Sequence, residues 1–209
     1  MDQQMLYKLY KSRQTMVSML RYRKYEISES FDLSLDQFKQ KYETSTVEEI
    51  KHALNKEFII EGTDKLPTIM IMWLTKPKLG ANIQDCANEM THNKIRNAVM
   101  IVDVGITAQA KEAIKFMTSR KLSITVMLLS HTIVFPPDHD IAAKHEICSS
   151  EECMLVLEKF GISPNDGGIL VPHIQIDDIM VVHLGARKNQ LIRITRKDKT
   201  IHYRIVVSS

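Results

Sequence analysis

The stretch RNAVMIVDVGITAQAKEAIKFMTSRKLSITVMLL, from Arg96 to Leu129, decides the fold of this chain. It contains two short apolar runs rich in β-branched residues, AVMIV and SITVMLL, which are typical of buried strands. Between them, Ile114 and Met117 follow helical spacing and predict a helix that turns these side chains inward. Strands separated by helices predict a small mixed sheet with helices on its faces.

The same alternation continues toward the N-terminus. EFIIEG at residues 57–62 and PTIMIMWL at residues 67–74 are apolar runs bounded by Gly, Asp and Pro, and they predict two further strands. The apolar residues of NIQDCANEM, 82–90, return to helical spacing. The chain upstream of Arg96 is therefore expected to belong to the same sheet.

Three helices are predicted before the first strand. Apolar residues recur every three or four positions over residues 3–23, which indicates an amphipathic helix. The pattern Ser34-x-x-Gln37 is a capping box and predicts the start of a second helix. Thr46-x-x-Glu49 predicts the start of a third in the same way.

A break in this regularity at FPPD, residues 135–138, indicates a domain boundary. We predict an N-terminal domain of residues 1–140 and a C-terminal domain of residues 141–209. The predicted fold class is α/β, with a helix-flanked mixed sheet in the N-terminal domain. The smaller C-terminal domain is predicted to be of α+β type.

Within the C-terminal domain, Ser149-x-x-Glu152 predicts a helix start. Pro172 begins a stretch that is predicted as a short helical segment reaching His183. Beyond it, LIRIT and TIHYRIV alternate around the polar stretch RKDK and predict a closing β-hairpin. The alternation predicts one apolar face, with Ile192 and Ile194, and one polar face.

Positive charge is concentrated in two segments of the chain. Residues 183–206 carry seven Lys or Arg and a single acidic residue, Asp198, and residues 1–24 carry six Lys or Arg. The net charge of +3 is too small to demand a nucleic-acid partner. Such segments contact phosphates, dock on a protein partner or remain solvated, and composition leaves these alternatives open.

Length and cysteine content bound the class of protein. A chain of 209 residues with 44% hydrophobic content can bury one substantial core or two modest ones. Its three cysteines have no zinc-type spacing, which favours a reducing compartment without a disulfide framework. There is no signal-peptide pattern and no apolar run of about 18 residues. We therefore expect a soluble intracellular protein with no membrane partner.

The usual signatures of catalysis are missing from the sequence. It contains no phosphate-binding GxxxxGK[ST], no GxGxxG and no GxSxG. A metal-dependent nuclease would need carboxylates and a lysine at neighbouring strand ends. Asp103 follows the strand AVMIV, but no lysine stands two residues on. We expect no catalytic residue, no metal site, no cofactor and no small-molecule substrate.

The C-terminal third resembles the assembly domain of the fifth RNA polymerase subunit, in the form found in archaea. The resemblance rests on VPHIQIDDIMVVHLGARKNQLIRITR and the closing IHYRIV. In this family the domain docks on the largest polymerase subunit. The residues that keep places in the family pattern, and so are implied in docking, are Pro172, Ile174, Asp178, Gly185, Arg187, Arg193, Arg196, Tyr203 and Arg204.

The N-terminal domain resembles the jaw domain that the eukaryotic fifth subunit, common to the nuclear polymerases, adds to this assembly domain. The matching stretches include DLSLDQFKQKY and IRNAVMIVDVGITAQAKEAI. The resemblance implies a non-catalytic subunit of a DNA-directed RNA polymerase, with other polymerase subunits and downstream double-stranded DNA as partners. The implied DNA-facing residues are Gly105, Ile106, Thr107, Ala108, Gln109 and Lys111.

The sequence departs from the family pattern at several motif positions. Thr107-Ala108-Gln109-Ala110 stands where the family has Thr-Pro-Ser-Ala, and Ile179 and Asn189 replace a proline and a glycine. Such departures favour a divergent copy encoded by a large DNA virus, to be found in the host cytoplasm and the virion. A cellular copy would be nuclear.

Two other classes of protein are compatible with the residues alone. A stand-alone nucleic-acid-binding transcription factor could use the two basic segments without a polymerase. A degenerate metal-dependent nuclease could share the same arrangement of strands and helices.

Overall fold

The computed structural model describes residues 3–64, 66–74, 79–163 and 167–208, with the backbone alone described at 79–81 and 167. The chain divides into two compact units, Met1–Val134 and Phe135–Ser209. A short 3-10 turn at Pro136–Asp138 opens the second unit.

The N-terminal unit follows the element order predicted from the sequence. The amphipathic helix is confirmed, and so are both capping boxes: the Gln37 backbone N–H donates to Ser34 Oγ at 3.2 Å, and Gln37 Oε1 accepts from the Ser34 backbone at 2.8 Å. Its elements are α1 (Gln3–Tyr22), α2 (Leu35–Lys41), α3 (Val47–Glu57), β1 (Ile59–Ile60), β2 (Ile69–Trp73), α4 (Leu79–His92), β3 (Asn97–Val102), α5 (Ala108–Ser119) and β4 (Ser123–Leu128).

The sheet of the N-terminal unit is mixed, as predicted. Its strand order is β1-β2-β3-β4, with β1 antiparallel to β2 and the other neighbours parallel. One face of the sheet packs against α4 and α5 in a cluster that includes Met70, Met100, Ile83 and Met117. The parallel strands bring the carboxyl ends of β2, β3 and β4 to one edge of the sheet.

Helices α1 and α3 contact the other face of the sheet through β2. The Trp73 ring nitrogen Nε1 donates to Ser12 Oγ of α1 at 2.8 Å. The Asn55 side chain of α3 accepts from the Trp73 backbone N–H at 2.6 Å and donates to its carbonyl at 3.2 Å. These bonds fix β2 against two helices, so the core extends to both faces of the sheet.

The C-terminal unit contains a second four-stranded sheet, with the order β5-β7-β8-β6. The predicted hairpin is confirmed as β7 and β8, and the helix after Ser149 is confirmed as α6. The α+β class of this unit is also confirmed. The elements are β5 (Lys144–Ile147), α6 (Ser150–Lys159), α7 (Gly167–Leu170), β6 (His173–Gln175), α8 (Ile179–Leu184), β7 (Leu191–Thr195) and β8 (Ile201–Val207).

The segment that begins at Pro172 differs from the predicted short helix. Residues 173–175 form a strand parallel to β8, with Ile174 paired to Val206. Helix α8 begins later, after Asp178, whose Oδ1 accepts from the Met180 backbone N–H at 2.8 Å. A strand of three residues is too short to leave an alternating pattern in the sequence.

The hairpin also differs from the predicted single apolar face, because both of its faces carry core residues. Ile192 and Ile194 pack with Val181 of α8 on one face. Leu191 packs with Val156 and Leu157 of α6 on the other. The sheet thus lies between α8 and α6 of the same unit. Less of the hairpin surface is exposed to a partner than the predicted single apolar face implied.

Three helices of the N-terminal unit end on a lysine in the left-handed region, at Lys24, Lys94 and Lys121. At the end of α4, the Ile95 backbone N–H donates to the Met90 carbonyl at 2.8 Å, and the Lys94 N–H donates to the Thr91 carbonyl at 3.2 Å. This bond pattern is the Schellman motif, in which glycine usually takes the left-handed position. Lys94, with φ of 57°, therefore holds a strained conformation there.

Replacing Lys94 by glycine is expected to stabilise the N-terminal unit by about 1 kcal/mol, because glycine adopts positive φ without a Cβ clash. Urea denaturation followed by the fluorescence of Trp73, the single tryptophan of the chain, measures the change. Lys94→Ala is the matched control, since it removes the same side chain and keeps the strain. Equal midpoints for the two variants would show that the strain is absent.

Candidate functional site

The segment between β3 and α5 forms an exposed loop at the carboxyl edge of the sheet. Thr107 caps α5, and its Oγ1 accepts from the Ala110 backbone N–H at 3.2 Å. Helix α5 therefore begins at Ala108 without the proline of the family pattern. Val104 is 53% exposed, and a Cβ added at Gly105 would meet no atom within 4 Å. The loop has open space in front of it.

The predicted DNA-facing residues are brought together at this edge, with one exception. Gly105, Thr107, Ala108, Gln109 and Lys111 are exposed. Ile106 instead packs against the core beneath α4 and α5. We call residues 104–109 together with Lys111 the loop site.

Positive charge at the loop site comes from Lys111 in the first turn of α5. Among the residues that the structure describes, no carboxylate pairs with Lys111, whereas Lys115 one turn later lies 3.5 Å from Glu112. The first backbone N–H groups of α5 and the helix dipole add a positive potential at the same end. This arrangement can receive an anionic group such as a phosphate.

A buried lysine behind the loop site is a feature that the sequence patterns did not reveal. Lys51 of α3 donates from Nζ to Asp103 Oδ2 at 2.6 Å and to the Leu74 carbonyl at 2.8 Å. Its side chain is 6% exposed, against 46% for Asp103. The sequence held one sign of this buried lysine. Lys51 lies beside Ile50 and Leu54 on the side of α3 that the helical spacing predicts to be buried.

Asp103 therefore has a lysine partner, but the pair does not complete a nuclease-type metal site. Within the described residues, no group of three or more His, Cys, Asp and Glu is placed to hold a metal ion. The Asp103 carboxylate is bonded directly to Lys51. The pair joins a strand end to a helix.

Several predicted docking residues have structural roles within the C-terminal unit. Ile174 is buried in the core, and Asp178 caps α8. Gly185 ends α8 with φ of 72°, a conformation that favours glycine. Tyr203 packs against the cluster beneath α6. The family pattern at these positions therefore matches what the fold of the unit requires.

Arg193, also a predicted docking residue, is engaged by two carboxylates of its own unit. Its Nη1 donates to Glu152 Oε1 at 2.7 Å and its Nη2 to Glu146 Oε2 at 3.1 Å. Lys144 Nζ lies 2.8 Å from the second oxygen of Glu146. Hydrogen bonds from Lys144 and then Arg193 hold the pKa of the Glu146 carboxyl below its usual value. Arg193 thus ties β7 to β5 and α6.

The remaining cations of residues 183–206 lie on the hairpin and the segment before it, and we call them together the basic strip. All its members are exposed, and among the described residues none of them has a carboxylate partner within ion-pair distance. Arg204 donates to the His173 carbonyl at 3.2 Å. The basic strip consists of Arg187, Lys188, Arg196, Lys197, Lys199 and Arg204, and Pro172 is exposed as well.

Apolar side chains are also exposed on this unit. Helix α6 buries Val156 and Leu157, while Met154 and Leu155 on its outer side are 55% and 65% exposed. Phe160, at the end of the helix, is 59% exposed. The apolar surface comprises Met154, Leu155, Phe160, Ile169 and Leu170. Exposed apolar side chains that lie side by side are typical of protein-interaction sites, which makes this set a candidate for one.

Comparison with known proteins finds one domain of the same family in each of the two units. The model of the family "RNA polymerase Rpb5, N-terminal domain" matches residues 3–90, and that of "RNA polymerase Rpb5, C-terminal domain" matches residues 135–206. No helix among the described residues combines the length and apolar character that crossing a membrane requires.

Proteins that are similar to this chain are named as RNA polymerase subunits. The chain is 24% identical to DNA-directed RNA polymerases I, II, and III subunit RPABC1 of Caenorhabditis elegans, over 99% of both chains. It is 24% identical to DNA-directed RNA polymerase subunit 5-like protein 1 of Arabidopsis thaliana, over 92% of this chain and 90% of that protein. It is 36% identical to DNA-directed RNA polymerase subunit Rpo5 of Nitrosopumilus maritimus, over 35% of this chain and 89% of that protein.

The fold and the matches place the chain in a class of two-domain proteins of helices and mixed sheets that are named as polymerase subunits. It belongs to the Rpb5 family of DNA-directed RNA polymerase subunits.

Proposed function

We propose that this chain is a non-catalytic subunit of a multisubunit DNA-directed RNA polymerase. Its C-terminal unit docks on the largest subunit, and its N-terminal unit supports the downstream duplex. The observation that carries the proposal is that both domains of the family occur in one chain in this order. Each unit also presents an exposed surface that suits the partner assigned to it.

The docking role of the C-terminal unit is supported by the two surfaces defined above. The apolar surface offers side chains such as Leu155, 65% exposed, that a partner would bury. The basic strip offers cations that can pair with carboxylates of a partner. Arg187, Arg196 and Arg204 are the predicted docking arginines that remain available for this role.

The DNA role of the N-terminal unit is supported by the loop site. It combines exposed backbone at a helix N-terminus with Lys111, and neither requires a particular base sequence. A subunit that supports entering DNA must accept any sequence. Contact with phosphates rather than base edges meets this requirement.

The decisive experiment is affinity capture of the tagged full-length chain from the cells in which it is expressed. We expect the two largest polymerase subunits in stoichiometric amount. If they are absent while the chain is folded, the proposal fails. A purified chain that binds duplex DNA strongly and with steep salt dependence would then favour the stand-alone transcription factor, which the basic strip makes the second candidate.

Lys111→Glu separates the docking role from the DNA role. We expect this variant to assemble normally into the polymerase. Its affinity for downstream duplex should fall by about tenfold, because a contact with one phosphate becomes a repulsion. Photo-crosslinking between the assembled polymerase and downstream DNA measures the effect. Lys94→Glu is the matched control, because Lys94 is exposed at the opposite edge of the same sheet, before β3. If Lys111→Glu prevents assembly, the division of labour between the units is wrong.

The origin of the chain from a large DNA virus also belongs to the proposal. It is supported by the departures at Ala108, Ile179 and Asn189 and by identities of 24% to relatives of full length. A viral copy that serves a cytoplasmic polymerase would be found in the host cytoplasm and in purified virions. A cellular copy would be found in the nucleus, so cell fractionation separates the two.

A further inference from the structure

We propose that Lys51 is a positioning residue for the loop site, because it holds the Asp103 carboxylate at the base of the loop and cancels its negative charge. The inference rests on the proposed function, in which the loop site contacts DNA. It adds to that function a residue of another element, α3, which the family pattern of the loop does not include.

The geometry around Lys51 joins three elements at one point. Its ammonium group has two acceptors, the Leu74 carbonyl at 2.8 Å and Asp103 Oδ2 at 2.6 Å. Leu74 follows β2 directly, and its backbone N–H donates to the Ile101 carbonyl of β3 at 3.0 Å. Lys51 therefore ties α3 to the carboxyl ends of two neighbouring parallel strands.

Asp103 is the first residue after β3, so the chain enters the loop site from the position that Lys51 fixes. At the other end, Thr107 is fixed as the cap of α5. Val104 and Gly105 lie between these two anchors and are exposed. Holding Asp103 in place limits the conformations that the exposed residues can adopt, which lowers the entropy lost when a ligand orders them.

The charge of Asp103 is the second part of the inference. Its carboxylate is 46% exposed at the edge where the loop site would meet phosphates. An unpaired carboxylate at this place would repel a phosphate by about 1 kcal/mol at a separation of roughly 8 Å and an effective dielectric constant of about 40. The Lys51 ammonium at 2.6 Å removes most of this repulsion without itself being exposed.

The bond to the Leu74 carbonyl gives Lys51 a structural role, but that bond does not require the second bond, to Asp103. Lys51 is 5% exposed and lies on the buried side of α3 beside Ile50 and Leu54. Burying an ammonium group is costly, and buried ion pairs are often replaced by apolar residues without loss of stability. Methionine has a similar length and would fill the same volume, although the Leu74 carbonyl would lose this donor. The lysine is therefore better explained by what it does for Asp103.

The test uses the full-length chain in the assembled polymerase, with a photo-crosslinking amino acid in place of Gln109. Crosslinks to a downstream duplex of mixed sequence are quantified for three variants. Lys51→Met should lower the yield about fivefold, in line with the repulsion given above. Asp103→Asn keeps an acceptor for Lys51 and should not lower it. The double variant Lys51→Met/Asp103→Asn should lie between Lys51→Met and the unchanged chain.

Two results would overturn the inference. One is an unchanged crosslink yield for Lys51→Met in a protein whose Trp73 fluorescence remains native. The other is a loss of yield for Asp103→Asn, which would mean that the carboxylate itself favours DNA. If Lys51→Met does not fold, the crosslink yield of Asp103→Asn still decides the matter. Failure of the proposed function is distinguishable, because the unchanged chain would then give no crosslink at position 109.

Discussion

Replacing Arg13 by methionine is expected to lower the free energy of unfolding of the N-terminal unit by about 3 kcal/mol, since it removes a buried guanidinium group that donates two charged hydrogen bonds. The Arg13 side chain is 0% exposed. Its Nη2 donates to Glu57 Oε1 and its Nη1 to the Phe31 carbonyl, both at 2.6 Å. The change leaves the Phe31 carbonyl without this donor, while Glu57 keeps Lys41 Nζ at 3.7 Å from its other oxygen. Urea denaturation followed by Trp73 fluorescence gives the value.

Aromatic rings add to the cost of losing this guanidinium group. Its central carbon lies 5.7 Å from the ring centre of Phe31 and 5.6 Å from that of Phe58. A cation over aromatic faces that are shielded from water contributes about 1 kcal/mol or more. Methionine fills part of the same volume and so leaves little cavity. The decrease in the free energy of unfolding therefore reports mainly the lost polar interactions.

Arg21→Met provides the matched control on the same helix. Arg21 forms two hydrogen bonds with Asp32, at 2.7 and 2.6 Å, but the two side chains are 42% and 51% exposed. Exposed pairs of this kind contribute about 1 kcal/mol or less. If Arg13→Met and Arg21→Met lower the free energy of unfolding equally, burial does not determine how much Arg13 contributes to stability.

The N-terminal sheet could be predicted from the sequence because its strands are continuous apolar runs. Strand β3 buries five consecutive residues, Ala98 to Val102, and β2 buries all of its residues. A strand covered on both faces has this signature, and helices between such strands predict a largely parallel arrangement. Capping boxes at Ser34 and Thr46 then set the starts of α2 and α3, since their hydrogen bonds are local.

The remaining features depend on contacts between distant parts of the chain. Strand β6 consists of three residues and exists because Ile174 pairs with Val206. Lys51 meets Asp103 across 52 positions, and Arg193 meets Glu152 across 41. A local pattern cannot reveal such partners. The resemblance to the family pattern implied Arg193 in docking, and the bonds of its guanidinium group within its own unit could not be read from that pattern.

This distinction between paired and available arginines leads to the second large effect. Reversing two members of the basic strip, Arg196→Glu with Arg204→Glu, is expected to weaken assembly of the chain into the polymerase by about 100-fold, or about 2.7 kcal/mol. Both side chains are exposed. Titration of the purified polymerase core with the labelled chain measures the affinity. Hydrogen exchange of the β7 amides should be unchanged, because neither side chain lies in the core.

Arg193→Met should change the hydrogen exchange of the β7 amides first, and assembly only as a consequence. It removes the hydrogen bonds to Glu146 and Glu152, so β7 should exchange its amide protons faster. Any loss of assembly should then follow from this loosening rather than from a lost contact with the partner. If the Arg196→Glu/Arg204→Glu protein assembles with unchanged affinity, the basic strip is not the docking surface. Docking would then fall to the apolar surface, where Leu155→Glu should abolish it, because a partner cannot bury an unpaired carboxylate without a large cost.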